Sequence, residues 1–200
     1  MVIKDSIKNI IFDLGGVILN IDYNATIEEF KKLGVLNFEL IFSQFKQLDF
    51  SDKFEIGEIS EEEFYEEIKK LTNVNFSFLQ FKYAWNAMLL DLPQKRIHLL
   101  RKLKANYNLY LYSNTNETHY KNFHFKVKED FDSIFEKTYY SHLFGKRKPH
   151  VNSFETILKE NNLIPQETLF LDDSIQHISG AKNAGIITKL IDNNPIEELF

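Results

Sequence analysis

The sequence predicts an α/β fold with a Rossmann-like parallel sheet and a small inserted α-helical domain. Short apolar runs that end at turn residues alternate with segments of helical period along the chain. This alternation favours a parallel sheet that helices cover on both faces. About 90 residues separate the first strand from the second, whereas a β-α-β unit needs only ~30. We therefore expect a further domain between these two strands.

Apolar runs of strand length predict four buried strands and a weaker fifth. Continuous runs without polar alternation are typical of strands that are covered on both faces. The weaker segment, Lys137 to Tyr140, carries the same pattern less clearly. The four stronger runs are Asn9 to Phe12, Leu109 to Tyr112, Leu169 to Leu171 and Ile186 to Ile191.

Helical signals occupy the intervals after these strands. Pro93 opens a helix whose apolar face runs to Leu103, and a second helix is predicted across 151–158. Ser174 is expected to cap a third helix, which stops at Gly185. Together with the strands, this order predicts that ligands bind at the carboxyl ends of the strands.

Residues 20–90 are predicted to form a helical cap over that edge of the sheet. Residues 1–19 and 91–200 would then build the core domain. Ser60 and Glu63 match a capping box ahead of a helix. The segment 54–59 is expected either to reach inward or to form only a turn before that helix. Apolar residues recur at helical spacing in 27–33, 38–48 (ending at Leu48) and 64–71, and around Trp85.

Composition narrows the possible functions of this chain of 200 residues, which has a formal net charge of -5 and no cysteine. Disulfides, thiolate nucleophiles and Cys-ligated metal sites are excluded, which agrees with a cytoplasmic location. Interspersed Lys and Glu argue against a nucleic-acid partner. The apolar stretch Ile10 to Leu19 is interrupted by Asp13 and is shorter than the ~20 residues of a membrane span, so no membrane partner is expected. The oligomeric state is not indicated.

Two acidic clusters follow predicted strands. Asp13 stands at a strand end before Gly15 and Gly16, which allow close backbone approach, so it could act as covalent nucleophile and metal ligand. An ordinary strand-to-helix turn is the alternative. Asp172 and Asp173 follow another apolar strand, where adjacent carboxylates are costly unless they bind a cation or hydrogen-bond donors. Hard oxygen ligands without cysteine favour Mg²⁺.

Two further clusters could bind phosphate or balance its charge. The segment Ser113 to Asn116 offers a hydroxyl, amides and backbone N–H groups at the start of a helix, although it could serve only as a helix cap. The basic segment 145–149 contains Lys148, whose backbone is restricted by Pro149. Its ammonium is the best-placed candidate for balancing anionic charge, and a solvated loop is the alternative.

These four clusters, in this order, resemble the motifs of the haloacid dehalogenase (HAD) superfamily. The motifs are Asp-x-Gly-Gly-Val, Ser-Asn, Lys-Pro before a helix, and Asp-Asp with a downstream Gly-Ala pair. The resemblance covers essentially the whole chain, including a helical cap of the C1 type between the first two motifs. Within the superfamily, the sequence is most similar to the subgroup of bacterial sugar-phosphate phosphatases such as alpha-glucose-1-phosphatase, and it is also similar to the phosphatase domain of soluble epoxide hydrolases.

The resemblance implies a phosphatase that acts on a small phosphorylated metabolite, such as a sugar phosphate. Asp13 would attack phosphorus and form an aspartyl-phosphate, while Lys148 offsets negative charge. Ser113 and the backbone of Asn114 would bind the transferred phosphoryl group. Positioning and charge stabilisation by a metal and a lysine are what phosphoryl transfer mainly requires.

The metal site implied by the resemblance contains Mg²⁺. Asp173 would ligate the ion directly, whereas Asp172 would act through water or hold the loop. Asp13 and the backbone carbonyl of Gly15 would complete the protein ligands. His177 occupies a position where the family often has Asn, which affects the geometry of this loop.

Gly15 also occupies the position of a second Asp that family phosphatases use as general acid and base. The backbone carbonyl is retained but the proton donor is lost, and such a donor contributes roughly 10²–10⁴ in rate. We therefore expect a leaving group that needs little protonation, or another proton source. His119 is one candidate donor, and a surface or cap-contacting histidine is the alternative.

Two other functions are compatible with these residues. A dehalogenase of the same family uses the same Asp to attack carbon without a metal, and Gly15 does not exclude it. The Asp172 and Asp173 pair disfavours this function, because such enzymes need no magnesium ligands. The third possibility is a weakly active module that binds a phosphorylated ligand.

Overall fold

The computed structural model describes residues 6–45, 49–192 and 195–200. Its centre is a parallel sheet with the strand order β3-β2-β1-β4-β5. This confirms the predicted fold class. The central position of β1 brings its carboxyl end between those of β2 and β4. The strands are β1 (Asn9–Phe12), β2 (Asn108–Ser113), β3 (Lys137–Tyr140), β4 (Thr168–Asp172) and β5 (Ile187–Leu190).

Most helices lie where the apolar periodicity predicts them, with additional short ones in the cap and beside the site. For the longest described helix, Glu117–Ile134, the sequence predicts only its start after Asn116. The cap segment contains α1 (Tyr23–Lys32), α2 (Phe38–Phe45), α3 (Asp49–Glu55), α4 (Glu61–Thr72) and α5 (Phe78–Asn86). The remaining helices are α6 (Gln94–Lys104), α7 (Glu117–Ile134), α8 (Ser141–Phe144), α9 (Val151–Glu160) and α10 (Ile175–Asn183). Short 3-10 turns cover Pro165–Glu167 and Ile196–Glu198.

Both faces of the sheet are buried, as the continuous apolar runs predict. Ile10 and Phe12 contribute to one core with apolar residues of α6 and α7, whereas Ile11 contributes to a second core with α9 and α10. Side chains of successive strand residues point to opposite faces, so each strand supplies both cores. The carboxyl edge of the sheet is the part that these helices leave available for a site.

The cap helices α1 to α5 enclose a separate aromatic core. Phe30, Phe64 and Phe81 are fully buried there. The rings of Phe30 and Phe38 stack with centroids 3.9 Å apart, and those of Phe64 and Trp85 meet edge to face at 5.0 Å. Such pairs add to the stabilisation that burial provides. Leu48, the last position of the predicted apolar stripe, lies outside the described residues.

Two short segments connect the cap to the sheet and pair with each other. Residues 20–22 and 88–91 run antiparallel through an isolated bridge between Ile21 and Leu89. The amide of Leu90 donates to the Asn20 carbonyl at 3.0 Å, and the amide of Asn20 donates to the Asp91 carbonyl at 3.0 Å. The entry and exit of the cap are therefore held together beside the site.

Helix ends follow the sequence signals with one exception. Ser60 and Glu63 form the predicted capping box, with hydrogen bonds of 2.8 and 3.2 Å between each backbone amide and the other side chain. Ser174 occupies the predicted N-cap position of α10, but its side chain makes no capping hydrogen bond. The amide of Ser174 donates to Asp172 Oδ1 at 2.8 Å, so the Asp172 side chain holds the turn before the helix. None of the described helices combines the length and apolar character that crossing a bilayer requires.

Candidate active site

Asp13 lies at the carboxyl end of the central strand, where β2 and β4 also end. Its amide donates to the Leu171 carbonyl at 2.8 Å, which continues the pairing of β1 with β4. The residue is only 7% exposed. The carboxylate Oδ1 accepts a hydrogen bond of 2.7 Å from Lys148 Nζ. The strand pairing thus fixes the backbone of this carboxylate, and the lysine fixes its side chain.

Lys148 is completely buried between two carboxylates. Its Nζ donates to Asp13 Oδ1 at 2.7 Å and to Asp172 Oδ2 at 2.6 Å. Burial opposes the ammonium charge, but Asp13 and Asp172 outweigh it and hold the pKa of Lys148 above its usual value. The rings of Tyr112 and Phe170 face the ammonium at 5.4 and 5.5 Å. The lysine therefore remains charged at neutral pH.

Asn114 holds the backbone of Lys148 in place. The amide of Lys148 donates to Asn114 Oδ1 at 2.9 Å, and Asn114 Nδ2 donates to the Lys148 carbonyl at 2.9 Å. These reciprocal bonds join the end of β2 to the basic segment before α9. The Asn114 side chain thus has a positioning contact that its sequence pattern did not indicate.

Asp172 and Asp173 have different surroundings, although they are adjacent. Asp172 is fully buried, and its Oδ1 accepts from the Ser174 amide at 2.8 Å and from His177 Nδ1 at 2.9 Å. Since a carboxylate only accepts, His177 Nδ1 carries the proton in this contact. Lys148 and His177 hold the pKa of Asp172 below its usual value, against the effect of burial. Asp173 is exposed at the floor of a cavity.

The close approach of Asp173 to the first motif requires glycine at position 16. The Gly16 backbone has φ +75°, a left-handed conformation that favours glycine. A Cβ atom at this position would lie 2.2 Å from Asp173 Oδ2. Gly16 therefore allows the carboxylate of the fourth motif to reach the loop that follows Asp13.

Three carboxylates converge at this point. Asp13, Asp172 and Asp173 each offer an oxygen, and these oxygens all lie within 4.8 Å of one another. Burial raises the pKa of Asp13 to about 7 despite the opposing effect of Lys148, and the charges of Asp172 and Asp173 contribute to the rise. Three carboxylates outnumber the single ammonium of Lys148, so the burial of Asp13 and Asp172 and the mutual repulsion of all three groups are unfavourable unless a further cation binds. The oxygen donors fit a hard divalent ion such as Mg²⁺.

The loop after β2 is anchored beside Asp13. Ser113 is buried at the end of the strand. The amide of Thr115 donates to Ser141 Oγ at 2.9 Å, while that hydroxyl donates to the Thr115 carbonyl at 2.8 Å. Asn116 caps α7 by accepting from the His119 amide at 3.0 Å. Helix capping and site formation are therefore both functions of this short loop.

A cavity of about 430 Å³ lies between the sheet edge and the cap. This volume suits a small metabolite. Most of the site residues predicted from the sequence line it, and Asp172 lies beneath its floor. From the core these are Asp13, Gly15, Ser113, Asn114, Lys148 and Asp173. From the cap the polar lining includes Tyr23, Ser51 and Glu55, beside Phe42, Trp85 and Met88.

Glu55 and Arg147 belong to the segments 54–59 and 145–149 that the sequence singled out, but neither residue was predicted individually to line the site. Glu55 ends α3, so the segment 54–59 begins as a helix, and its first acidic residue reaches the cavity. Arg147 Nε lies 2.8 Å from Glu55 Oε2, and its Nη1 contacts Asp52. Because these residues are far apart in the chain, only the tertiary structure brings them together.

His119 forms a cap contact, which was the alternative to the proton-donor hypothesis. Its Nε2 lies 3.0 Å from the Trp85 carbonyl, which can only accept, so Nε2 carries the proton. Nδ1 then accepts from Asn116 Nδ2 at 3.1 Å. Burial lowers the pKa of His119 to about 4. A neutral ring with both nitrogens engaged is poorly suited to protonating a leaving group.

Comparisons with known proteins find similar sequences over most of the chain. The model of the haloacid dehalogenase-like hydrolases matches residues 7–185. The D-ribitol-5-phosphate phosphatase of Bacteroides thetaiotaomicron is 30% identical over 189 residues, which cover 91% of this chain and 90% of that protein.

Solved structures show the same similarity. A HAD family enzyme of Bacteroides thetaiotaomicron, crystallised with magnesium and inorganic phosphate, is 36% identical with a TM-score of 0.85, and the match covers 97% of this chain and 99% of that one. The L-2-haloacid dehalogenase of Xanthobacter autotrophicus is 17% identical with a TM-score of 0.65, covering 96% of this chain and 80% of the dehalogenase. The similarity to the dehalogenase concerns the fold alone.

Proposed function

Because this chain belongs to the haloacid dehalogenase-like hydrolase family, we propose that it is a magnesium-dependent phosphatase for a small phosphorylated metabolite, such as a sugar phosphate. One observation carries the proposal. The Asp13 carboxylate lies at the base of a cavity, bound to Lys148 and close to the oxygens of Asp172 and Asp173. The relative that acts on D-ribitol 5-phosphate supports a polyhydroxylated substrate.

Asp13 and Asp173 would hold Mg²⁺ directly, together with the backbone carbonyl of Gly15. Asp172 suits an indirect role, because Lys148, the Ser174 amide and His177 already use its oxygens. When bound, the ion would neutralise charge on the phosphoryl oxygens.

The site residues would carry out the reaction in two steps. A carboxylate oxygen of Asp13 attacks phosphorus while the bond from phosphorus to the leaving oxygen breaks, which produces an aspartyl-phosphate. Ser113 and the Asn114 backbone hold the phosphoryl oxygens, and Lys148 offsets the charge on Asp13. Water then attacks phosphorus, which releases inorganic phosphate and regenerates the Asp13 carboxylate.

The leaving oxygen takes its proton from water in this proposal. Gly15 has no side chain to donate one, and His119 uses both ring nitrogens for contacts with Asn116 and Trp85. An anomeric or acyl phosphate, whose leaving group needs little protonation, suits such a site.

We also propose that residues 20–90 act as the cap domain of this enzyme, over a core domain of residues 1–19 and 91–200. The separate aromatic core and the paired connecting segments support this division. Trp85 and Met88 approach the site from this side. Such a cap would exclude water from Asp13 during attack.

Phosphate release from a panel of small phosphorylated metabolites, with Mg²⁺ or with a chelator, tests the proposed function. We expect activity only with Mg²⁺. Asp13→Asn keeps the side-chain shape and should lower kcat by at least about 10³-fold. Halide release from 2-haloacids without metal would instead support a dehalogenase. Tight binding of beryllofluoride and Mg²⁺ without turnover would support a phospho-ligand-binding module.

A further inference from the structure

The cap side of the cavity carries polar groups suited to hydroxyls. Glu55 has a carboxylate and Tyr23 and Ser51 each have a hydroxyl, and all three residues line the cavity with Trp85. Burial and the carboxylates of Asp173 and Asp13 raise the pKa of Tyr23 to about 12, so its phenol stays protonated. A carboxylate accepts hydrogen bonds from hydroxyls, while a phenol or an alcohol both donates and accepts.

The cations that line the cavity are already matched by carboxylates. Lys148 donates to Asp13 and Asp172. Arg147 contacts Glu55 and Asp52. Within residues 6–45, 49–192 and 195–200, Arg147 and Lys148 are the Lys and Arg side chains that reach this lining. Among the described residues, each Lys or Arg side chain that lines the cavity therefore already has carboxylate partners and is not available to pair with a second anionic group of the substrate.

We propose that Glu55 selects a leaving group that is uncharged and carries hydroxyls, and that it rejects one with a carboxylate or a second phosphate. This inference rests on the proposed phosphatase function and specifies its substrate class. The transferred phosphoryl group would meet Lys148 and the metal ligands at the floor. The other end of the substrate would meet Glu55, which together with Asp52 places two carboxylates against the single Arg147 guanidinium, so a second anion would face net negative charge there.

Matched substrate pairs test this selection in the wild-type enzyme with Mg²⁺. α-Glucose 1-phosphate and glucuronic acid 1-phosphate differ only in a hydroxymethyl or carboxylate group far from phosphorus. D-Ribitol 5-phosphate and D-ribonate 5-phosphate differ in the same way. For the pairs that are hydrolysed, we expect kcat/KM to be at least about tenfold higher for the hydroxymethyl member. Equal values for both members would overturn the inference.

Glu55→Gln tests whether this residue is responsible. The amide retains hydrogen bonding but removes the charge, so the preference for the hydroxymethyl member should fall by about fivefold or more. Glu58→Gln is the matched control, because Glu58 is exposed and does not line the cavity. It should leave the preference unchanged. A folded Glu55→Gln enzyme with an unchanged preference would contradict the assignment, and the wild-type comparison applies even if this variant does not fold.

p-Nitrophenyl phosphate distinguishes a failure of the selection by Glu55 from a failure of the proposed phosphatase function. If Mg²⁺-dependent release from this compound is lost in Asp13→Asn while the paired substrates are hydrolysed equally, only the selection by Glu55 fails. If the wild-type protein releases no phosphate from any of these compounds, the proposed function fails, and the selection fails with it.

Discussion

Lys148 shows how one buried side chain determines the electrostatics of this site. Its ammonium contacts Asp13 and Asp172 and is completely shielded from solvent. Burying an ion is favourable only when partners and hydrogen bonds replace its hydration. The reciprocal bonds with Asn114 fix the backbone from which the lysine extends. The sequence identified this lysine from the following proline, but it did not indicate that the ammonium joins two strands.

Gly16→Ala should weaken metal binding selectively. The new methyl group would collide with Asp173, which lies 2.2 Å from the Cβ position. Gly145→Ala is the matched control, because Gly145 has a similar φ of +68° but nothing within 4 Å of its Cβ position. Both variants should lose about 1 kcal/mol of unfolding free energy from backbone strain. Only Gly16→Ala should abolish the rise in melting temperature that Mg²⁺ causes; an equal rise in both would contradict the prediction.

Gly15 predicts a steep dependence of rate on the leaving group. Without an acid at this position, an alkoxide must depart with little protonation, so aryl phosphates should react at least about 10²-fold faster than alkyl phosphates. The comparison is made on kcat/KM at saturating Mg²⁺, because this constant reports the step in which the leaving group departs and does not include hydrolysis of the aspartyl-phosphate that both classes share. Equal values for the two classes would show that another group supplies the proton.

At the scale of elements, α7 connects the loop that follows β2 to the cap. Asn116, immediately before the helix, caps it by accepting a hydrogen bond from the amide of His119. The His119 ring then reaches the carbonyl of Trp85 at the end of α5. The rings of His119 and Trp85 are also stacked, with centroids 5.5 Å apart. One turn of helix thereby positions the loop and contacts the cap.

His119 should make the stability of the protein sensitive to acid. Its folded pKa is about 4, below the ordinary value of 6.5, so the unfolded chain binds the proton first as pH falls. The stability that the neutral His119 contributes is therefore present above pH 6.5 and is lost between pH 6.5 and 4, by about 2 kcal/mol from pH 7 to 5, whereas the raised pKa of Asp13 acts in the opposite direction. The difference in unfolding free energy between the wild type and His119→Gln, measured by urea unfolding at both pH values, isolates the contribution of His119.

The control for this measurement is His98→Gln on α6. His98 is exposed, so its replacement should leave the dependence of unfolding free energy on pH unchanged. If His119→Gln also kept the wild-type dependence, the buried neutral imidazole would not be its source.

At the scale of the whole molecule, polar contacts join the cap to the core domain, and the described residues form three hydrophobic cores. The sheet contributes the apolar cores on its two faces, and the cap contributes an aromatic one. One set of the polar contacts that join the cap to the core domain is made by the buried Glu61 of α4. Its carboxylate accepts from Thr118 Oγ1 at 2.9 Å and from Lys121 Nζ at 2.8 Å. Cap and core are thus connected by specific contacts as well as by the paired segments.

Glu61→Ala should weaken the contact between α4 of the cap and α7 of the core domain. The change removes the acceptor for Thr118 and Lys121, so we expect a loss of about 1–3 kcal/mol in unfolding free energy. Amide hydrogen exchange should rise most in α4 and the start of α7. Glu62→Ala, in the same first helical turn but exposed, should change stability by less than about 0.5 kcal/mol. Equal effects of both variants would show that the loss of stability comes from the end of α4 and not from the contacts of Glu61 with Thr118 and Lys121.

The strands and helices of this protein are largely predictable because they depend on local patterns. The run Asn9 to Phe12 forms β1 with the predicted bounds, and the capping box at Ser60 is present. Even the weak segment Lys137 to Tyr140 is a strand. At α10 the predicted N-cap residue Ser174 is correct, but its side chain makes no capping bond, and the turn before the helix is held by Asp172.

The sequence by itself determined the parallel sheet, the inserted helices and the acidic and basic residues that follow the strands. These features depend on apolar period and on turn chemistry within a few residues, which one chain segment carries alone. The tertiary structure decided which charges meet: Lys148 with Asp13 and Asp172, and Arg147 with Glu55 and Asp52. Such contacts join residues from separate elements, and their distances depend on how those elements pack, which no local pattern encodes.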